Sequence, residues 1–332
     1  MESSLSIIRA AEIGSPDPLI LRTSDRILFK RCRRLWGWLS HNRQGRTITH
    51  SPDFFWFGTG IHFALEDYHG FNYYQHPATA LLAYVEASKR AGILPPTWQE
   101  HRLLGVRMME YYADQWLRSR DPLATYIVDG VPQVEVNGAI DLGFTTSSGR
   151  PVYYGFTIDR MHVDENGDLW VVEYKTAKRI MEYHLDVDDQ VTAYAWAAWK
   201  LYKRKVAGIV YVQFRKVVPQ LPKVLATGKV STNMSQSTSA AMYGKLLQMM
   251  YGSIMNAPNP NKLCYNNMLA REDEDKDYFI ARHRVERNEA QLLAFEKKVE
   301  MEVEDMANDN LPLYPNPTRE CDWCPLNAAC IA

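Results

Sequence analysis

The run Gly155-Phe156-Thr157-Ile158-Asp159-Arg160-Met161-His162-Val163 leads through Asp164-Glu165-Asn166-Gly167-Asp168 into Leu169-Trp170-Val171-Val172-Glu173-Tyr174-Lys175-Thr176. Two apolar runs flanking an Asn-Gly turn predict a β-hairpin. Successive strand side chains alternate in direction, so Glu173 and Lys175 share one face. Whether Asp159 joins them is a matter of register, because a slip of one residue sends it to the other face. A two-residue Asn166-Gly167 turn sets Arg160 opposite Glu173 and turns Asp159 away. A three-residue loop, Glu165-Asn166-Gly167 with a left-handed Gly167, sets Asp159 opposite Glu173. In the second register two carboxylates and an ammonium converge, a set that can hold a divalent cation and activate water against a phosphodiester. The plain alternative is an amphipathic hairpin with solvated charges.

Composition frames what that hairpin serves. At 332 residues, 46% hydrophobic and 23% charged, the chain has room for one elaborated domain or two. A net charge of −1 gives no overall attraction to nucleic acid, so any DNA path has to be a local basic stripe. No apolar stretch reaches the roughly 20 residues of a membrane span. The opening MESSLSIIRAAEIGSPDP lacks the sustained apolar run of a secretory signal. A reducing cytoplasm is therefore the expected location.

Three of the five cysteines crowd the C-terminus as Cys321-x2-Cys324-x5-Cys330, while Cys32 stands alone near the N-terminus. In a reducing compartment that spacing argues for metal or cluster ligation rather than disulfides. Cys32 is the obvious fourth thiolate. A 3+1 split suits a [4Fe–4S] cube at least as well as zinc, the less favoured occupant. Such a clamp would close a loop of nearly the whole chain, a stabilisation on the order of 5 kcal/mol. Cys264 is expected to be a buried or free thiol.

Two helical pairs complete the pattern. His62 and Glu66 lie four apart after the glycine-led Phe57-Gly58-Thr59-Gly60, and Gln190 and Tyr194 lie four apart after the acidic caps Asp186, Asp188 and Asp189. Glu135, in the apolar run before the hairpin, is a further acid near the site. Arg31, Arg33 and Arg34, interleaved with Trp36 and Trp38 and followed by Phe54 to Phe57, read either as a single-strand path or as core. Lys203-Arg204-Lys205 forms a second basic patch at a helix end.

In order, these motifs read Cys32, His62, Asp159, Glu173-x-Lys175, Gln190-x3-Tyr194, Cys321-x2-Cys324, Cys330. The series resembles the RecB-like branch of the PD-(D/E)XK nuclease superfamily, especially its iron–sulfur members, the CRISPR-associated RecB-like and AddB-type nucleases and their phage relatives. The resemblance spans Cys32 to Cys330. Ile158 replaces the superfamily's nominal proline, and Gly155 stands one residue farther from the aspartate than in the branch's G-x-x-D. The resemblance implies that His62, Asp159 and Glu173, with the Tyr174 carbonyl, ligate Mg²⁺ or Mn²⁺. It also implies that Lys175 stabilises phosphoryl charge, that Gln190 and Tyr194 position the strand and the lysine, and that the four cysteines hold the cluster.

The expected fold is α/β: a restriction-endonuclease-like mixed β-sheet core flanked by helices, with a helical N-terminal region and a C-terminal iron–sulfur clamp. The expected units are a loose arm (1–18), a helical region with Cys32 and His62 (19–125), the nuclease core (126–216) and a helical C-terminal region with the cysteine motif (217–332). Strands are expected near 131–145, 151–163, 169–176 and 206–216, and helices near 24–40, 58–120 (broken at the prolines), 186–203, 236–256 and 285–308. The implied activity is a metal-dependent deoxyribonuclease, an exonuclease acting on DNA ends in recombination, repair or end processing, with a recombination or helicase partner. The alternatives are a structure-specific or restriction-type endonuclease, or a DNA-binding adaptor subunit of a recombination or integration complex. A fused helicase is excluded, because Gly228-Lys229-Val230-Ser231 lacks phosphate-loop spacing.

Overall fold

The hairpin forms with Val163 opposite Leu169, His162 opposite Trp170 and Arg160 opposite Val172. Continued by one residue, that register sets Asp159 level with Glu173. The loop closes as a three-residue turn on Gly167 at φ 80°, whose N–H donates to Asp164 O at 3.0 Å. Only a residue without Cβ takes that conformation freely, and the glycine thereby permits the three-residue loop.

The computed structural model describes residues 7–8, 18–46, 53–70, 75–117, 123–181 and 184–331. Its strands are β1 (Ile7–Ile8), β2 (Leu19–Leu21), the small pair β3 (Ile127–Val128) and β4 (Val131–Pro132), β5 (Val134–Thr145), β6 (Pro151–Val163), β7 (Leu169–Ala177), β8 (Val206–Arg215) and β9 (Ile280–Glu286). The helices are α1 (Thr23–Arg31), α2 (Arg33–Leu39), α3 (Asp53–His69), α4 (Pro77–Arg90), α5 (Trp98–Tyr111), α6 (Asp189–Tyr202), α7 (Ala240–Tyr251), α8 (Asn259–Leu269), α9 (Glu289–Ala307) and α10 (Asn327–Ile331). No described helix is long and apolar enough to cross a membrane. Within the segment expected to be a loose arm, Ile7 and Ile8 pair with Ile140 and Ala139; most of its other residues lie outside the described set.

The sheet runs β1-β5-β6-β7-β8-β9, antiparallel except for the β7–β8 pair, which α6 connects as a crossover. Along one edge β6 carries β5. Its other edge is shared between β2, parallel to residues 152–154, and β7, which pairs with 160–163. Residues 155–159 lie between the two, where β6 and β7 part company. Helices α3, α4 and α5 cover one face of the sheet, over Trp170, Val172, Tyr174, Val210 and Val212. Helices α6 and α9 cover the other, over Leu169, Val171 and Ile209. This is the mixed sheet between helices that a restriction-endonuclease-like core requires.

Local chemistry fixes the helices. Asn288 and Gln291 cap α9 reciprocally, each side chain meeting the other's backbone N–H at 2.9 Å. Leu292, Phe295, Val299, Val303 and Met306 then form its buried stripe. Two expectations need correction here. The segment 280–286 is the strand β9, not the start of a helix at 285, because its buried Ile280, Ala281 and Val285 complete the β8 edge. The 236–256 helix shortens to α7, ending at Gly252 in the left-handed region, and a further helix, α8, follows.

Gly208 sits at the β-bulge where β7 and β8 shift register between Leu169 and Trp170, with φ 153°. A Cβ built there would stand 2.1 Å from Val285 O, a backbone atom that cannot move aside cheaply. Gly208→Ala is therefore expected to destabilise the fold by about 3 kcal/mol through strain and overpacking, read as a lowered midpoint in urea unfolding. An unchanged midpoint would contradict this packing.

Candidate metal and catalytic site

The site occupies the place where β6 and β7 part. Asp159 does not continue the ladder; its Oδ2 accepts from the Tyr174 N–H at 2.8 Å, so a side chain substitutes for the next backbone bond. Strand alternation also breaks here. Ile158 belongs to the core beneath α6, yet Arg160, two residues on, packs on the opposite side with His69 and Tyr174. Across from Asp159, Glu135 has a left-handed backbone at φ 44°, costly for a residue with a Cβ. The kink turns both carboxylates into the opening.

His62 reaches the same opening from α3. Its Nδ1 lies 3.3 Å from Asp159 Oδ1 and 3.6 Å from Glu135 Oε1. Among the described residues, His62, Glu135 and Asp159 form the one group of three His, Cys, Asp or Glu side chains whose ligand atoms all fall within 4.8 Å of one another. Burial works against the imidazolium, but hydrogen bonds to Asp159 and Glu135 outweigh it and raise His62 to about 10. A protonated histidine thus sits among the carboxylates.

Glu173 is buried at 2% exposure. One carboxylate oxygen pairs with Lys175; the other, Oε2, is buried with no hydrogen-bond partner. A buried acceptor left unpaired is destabilising unless a cation completes it. Burial, then the Asp159 charge, pushes the Glu173 carboxyl above the usual carboxylate range, against the pull of Lys175. Burial works to neutralise Lys175, but Glu173 beside it holds the amine above its ordinary value, so it is an ammonium.

Helix α6 supplies the opposite wall. Asp188 caps it, accepting from Gln190 N at 2.6 Å and Val191 N at 3.3 Å. Gln190 Nε2 donates to Tyr194 OH at 2.8 Å, and burial with the Glu173 charge keeps that phenol protonated. Both residues line a cavity of about 180 Å³ together with Gly155, Phe156, Thr157 and the start of α1. Behind the strands, Arg160 donates to His69 Nδ1 at 2.6 Å. Burial and then Arg160 hold His69 well below its usual value, so it stays neutral and its Nε2–H donates to Tyr112 at 2.8 Å.

A family model for the PD-(D/E)XK nuclease superfamily matches residues 25–331, nearly the whole chain. The chain belongs to that superfamily. Membership implies metal-dependent phosphodiester hydrolysis, and a carboxylate–histidine group is present to hold such a metal. No curated protein matches the chain.

Within this PD-(D/E)XK core, Asp159, Glu173, Lys175, Gln190 and Tyr194 gather around one opening with His62. Tyr174 contributes its N–H to Asp159, while its ring stacks on His69 on the far face. Glu135 was legible only as an acid near the site; what brings it in is the left-handed kink, for which a glutamate carries no sequence signal. The cysteines stand differently. The C-terminal tail does return to Cys32: Asn316 N–H lies 3.5 Å from Cys32 Sγ, and Arg31 pairs with Glu320 at 2.6 Å. The four sulfurs nevertheless form no ligating group among the described residues, and the expected iron–sulfur clamp is not seen as a gathered set. The Arg31–Arg34 patch is likewise no open DNA path. Arg31 and Arg33 pair with Glu320 and Asp305, and Trp36 is wholly buried.

Metal ligation needs neutral imidazole, so a dication entering this site must displace the His62 proton. The Kd for Mn²⁺ is expected to fall by up to about tenfold per pH unit between about pH 6 and 9. Titration calorimetry in buffers of differing ionisation enthalpy should show roughly one proton released per ion. A pH-independent Kd would exclude His62 as a ligand.

Proposed function

We propose that this chain is a deoxyribonuclease that degrades DNA from its ends, a RecB-like exonuclease of recombination, repair or end processing. The observation that carries the reading is the convergence of His62, Glu135, Asp159 and Glu173 with Lys175 at the parting of two strands. The RecB-like order of the motifs supports action at ends.

The donor set fits Mg²⁺ or Mn²⁺: carboxylate oxygens, one imidazole and an orphaned buried glutamate oxygen, Glu173 Oε2. His62, Glu135, Asp159 and Glu173 would hold the ion, with the Tyr174 carbonyl as a further ligand. When bound, it supplies Lewis-acid polarisation of the phosphate and a more acidic water. The chain's own groups do the rest. Lys175, held as an ammonium, is an electrostatic partner for the phosphoryl oxygens rather than a base. Gln190 and Tyr194 orient the strand and hold Lys175 toward it. Burial of the Glu173 carboxylate strengthens its interactions with its neighbours.

We further assign Cys32, Cys321, Cys324 and Cys330 to a structural [4Fe–4S] cluster. Backbone donors favour the assignment: Asn316 N–H meets Cys32 Sγ and Thr318 N–H meets Cys321 Sγ, both at 3.5 Å, while Arg34 lies 3.7 Å from Cys330 Sγ. Donors of this kind stabilise cluster sulfurs.

End-labelled single- and double-stranded DNA incubated with Mg²⁺ or Mn²⁺ should shorten from its ends while a closed circle stays intact; a cut circle would make the protein an endonuclease. Asp159→Ala and Glu173→Ala are expected to abolish cleavage, and Lys175→Ala to slow it by roughly 10²–10³-fold, with DNA still bound. Full activity in Glu173→Ala would sink the assignment. Purified without oxygen, the protein should be brown and carry about four irons per chain; stoichiometric zinc would replace the cluster claim and leave the nuclease one standing.

A further inference from the structure

Between Gln190 and Arg271 the chain carries eleven Lys and Arg and not one Asp or Glu, although acids slightly outnumber bases overall. The first part of this run is compensated by other segments. Lys200 meets Glu296, Lys205 meets Asp168, and Arg204 bonds Tyr126 and the Gly167 carbonyl. The remainder is not. From the end of β8 onward, Lys216, Lys223, Lys229, Lys245 and Lys262 form no ion pair among the described residues, and neither does Lys178 at the end of β7.

Most of these lysines belong to a unit that the sheet does not need. Strands β8 and β9 are antiparallel neighbours, and residues 217–279 leave and re-enter the sheet between them. The unit has its own small core around Tyr243, Leu247 and Met268, with Asn261 tied to Val230 O and Tyr243 OH at 2.8 Å each. Its acids, Glu272, Asp273, Glu274, Asp275 and Asp277, gather at its end beside β9, where Asp275 pairs with Arg282 and Asp277 accepts from Tyr111. The surface of residues 217–271 mixes cations with apolar groups. In the turn closed by Leu225 N–H to Lys229 O at 2.8 Å, Val224 is 51% and Leu225 48% exposed between Lys223 and Lys229. On α7, Met249 is 69% exposed near Lys245.

The unit starts at the lip of the site. In the parallel β7–β8 pair Lys175 lies beside Gln213 and Ala177 beside Arg215, and Lys216 N–H donates to Ala177 O at 2.8 Å. At about 3.3 Å per residue, Lys178 and Lys216 stand roughly 10 Å along the strands from Lys175. There the two lysines crowd each other: burial, then the Lys178 charge, lowers Lys216. Such crowding of like charges is relieved by a polyanion. We propose that the 217–279 unit is the docking surface for the single-stranded flank of the DNA substrate beyond the scissile phosphate, with lysines on phosphates and the Val224–Leu225 tip against unstacked bases. The proposal rests on the nuclease reading and adds to it where the strand runs and in what form.

The test uses full-length Glu173→Gln protein without added metal and a fluorescent single-stranded oligonucleotide, with anisotropy read across a salt series. Lys223→Ser/Lys229→Ser/Lys245→Ser/Lys262→Ser should weaken binding roughly tenfold or more at about 0.15 M salt and flatten the log–log salt slope by up to about 2.8. Val224→Ser/Leu225→Ser should weaken binding with the slope retained. Lys89→Ser/Arg90→Ser/Arg102→Ser/Lys297→Ser removes equal charge elsewhere and should change affinity less than about twofold. Unchanged affinity and slope in the first variant, or an equal loss in the control, overturns the proposal. So does a variant that loses binding only to phosphatidylserine vesicles or to an acidic peptide. Wild-type hydrolysis of thymidine 5′-p-nitrophenyl phosphate with Mn²⁺ reports the metal site alone. Its failure strikes the nuclease reading, whereas its success beside unaltered DNA binding in the lysine variant strikes only this proposal.

Discussion

The parting of β6 and β7 at Asp159 is the constraint on which the rest depends. A sheet that continued its ladder would direct Asp159 and Glu173 into a closed, helix-covered interior, where two carboxylates cannot both ionise cheaply. By accepting the Tyr174 N–H at 2.8 Å, Asp159 satisfies the backbone while ending the pairing. The opening lets helices on opposite faces of the sheet address one point, α3 with His62 and α6 with Gln190 and Tyr194. Glu135 at φ 44° is the strain accompanying that geometry. On the far face Arg160, His69, Tyr112 and Tyr174 form a fully packed support, so the strands part without loosening.

The chain's own cations offset the charge of this acid-rich opening. His62, raised to about 10, supplies a proton-borne positive charge beside Asp159 and Glu135, and Lys175 does the same for Glu173. The arrangement is pre-organised for a dication but satisfied by two weaker cations. Only Glu173 Oε2 is left over. A dication held by these residues would replace a positive charge already in place, with little rearrangement of the chain.

The sequence disclosed the hairpin because its information is local. The Asn-Gly turn leaves two loop lengths open, and the observed three-residue loop is the one that sets Asp159 level with Glu173. The cap Asp188 was similarly readable from residue type. What escaped was determined at a distance. Strand β9 sets Ile280 and Ala281 side by side before the basic run Arg282-His283-Arg284, with no clean alternation, and its identity depends on the β8 edge it completes. The Glu135 kink depends on a cross-strand partner. The Arg31–Arg34 cluster read ambiguously because nothing local reveals that Glu320 and Asp305, almost three hundred residues away, neutralise it. The acid-free run from 190 to 271 was legible in composition alone, yet an overall charge of −1 hides it by averaging.

The same ion pairs that close that basic cluster connect the chain's ends to its chemistry. The tail bearing Cys321, Cys324 and Cys330 docks where α1 meets α2 at Cys32. Two residues earlier, on α1, Lys30 grips Asp189, the residue before Gln190, and Lys298 of α9 holds the same carboxylate at 2.7 Å. Arg26, wholly buried, joins α1 to Glu302 of α9 at 2.7 Å. Exposed pairs contribute little singly, but here a buried arginine and a shared carboxylate make three helices one body. The cysteine tail thus contacts α1, and α1 reaches through Asp189 to the start of the helix that carries Gln190 and Tyr194. Both ends of the chain are thereby tied to one wall of the opening.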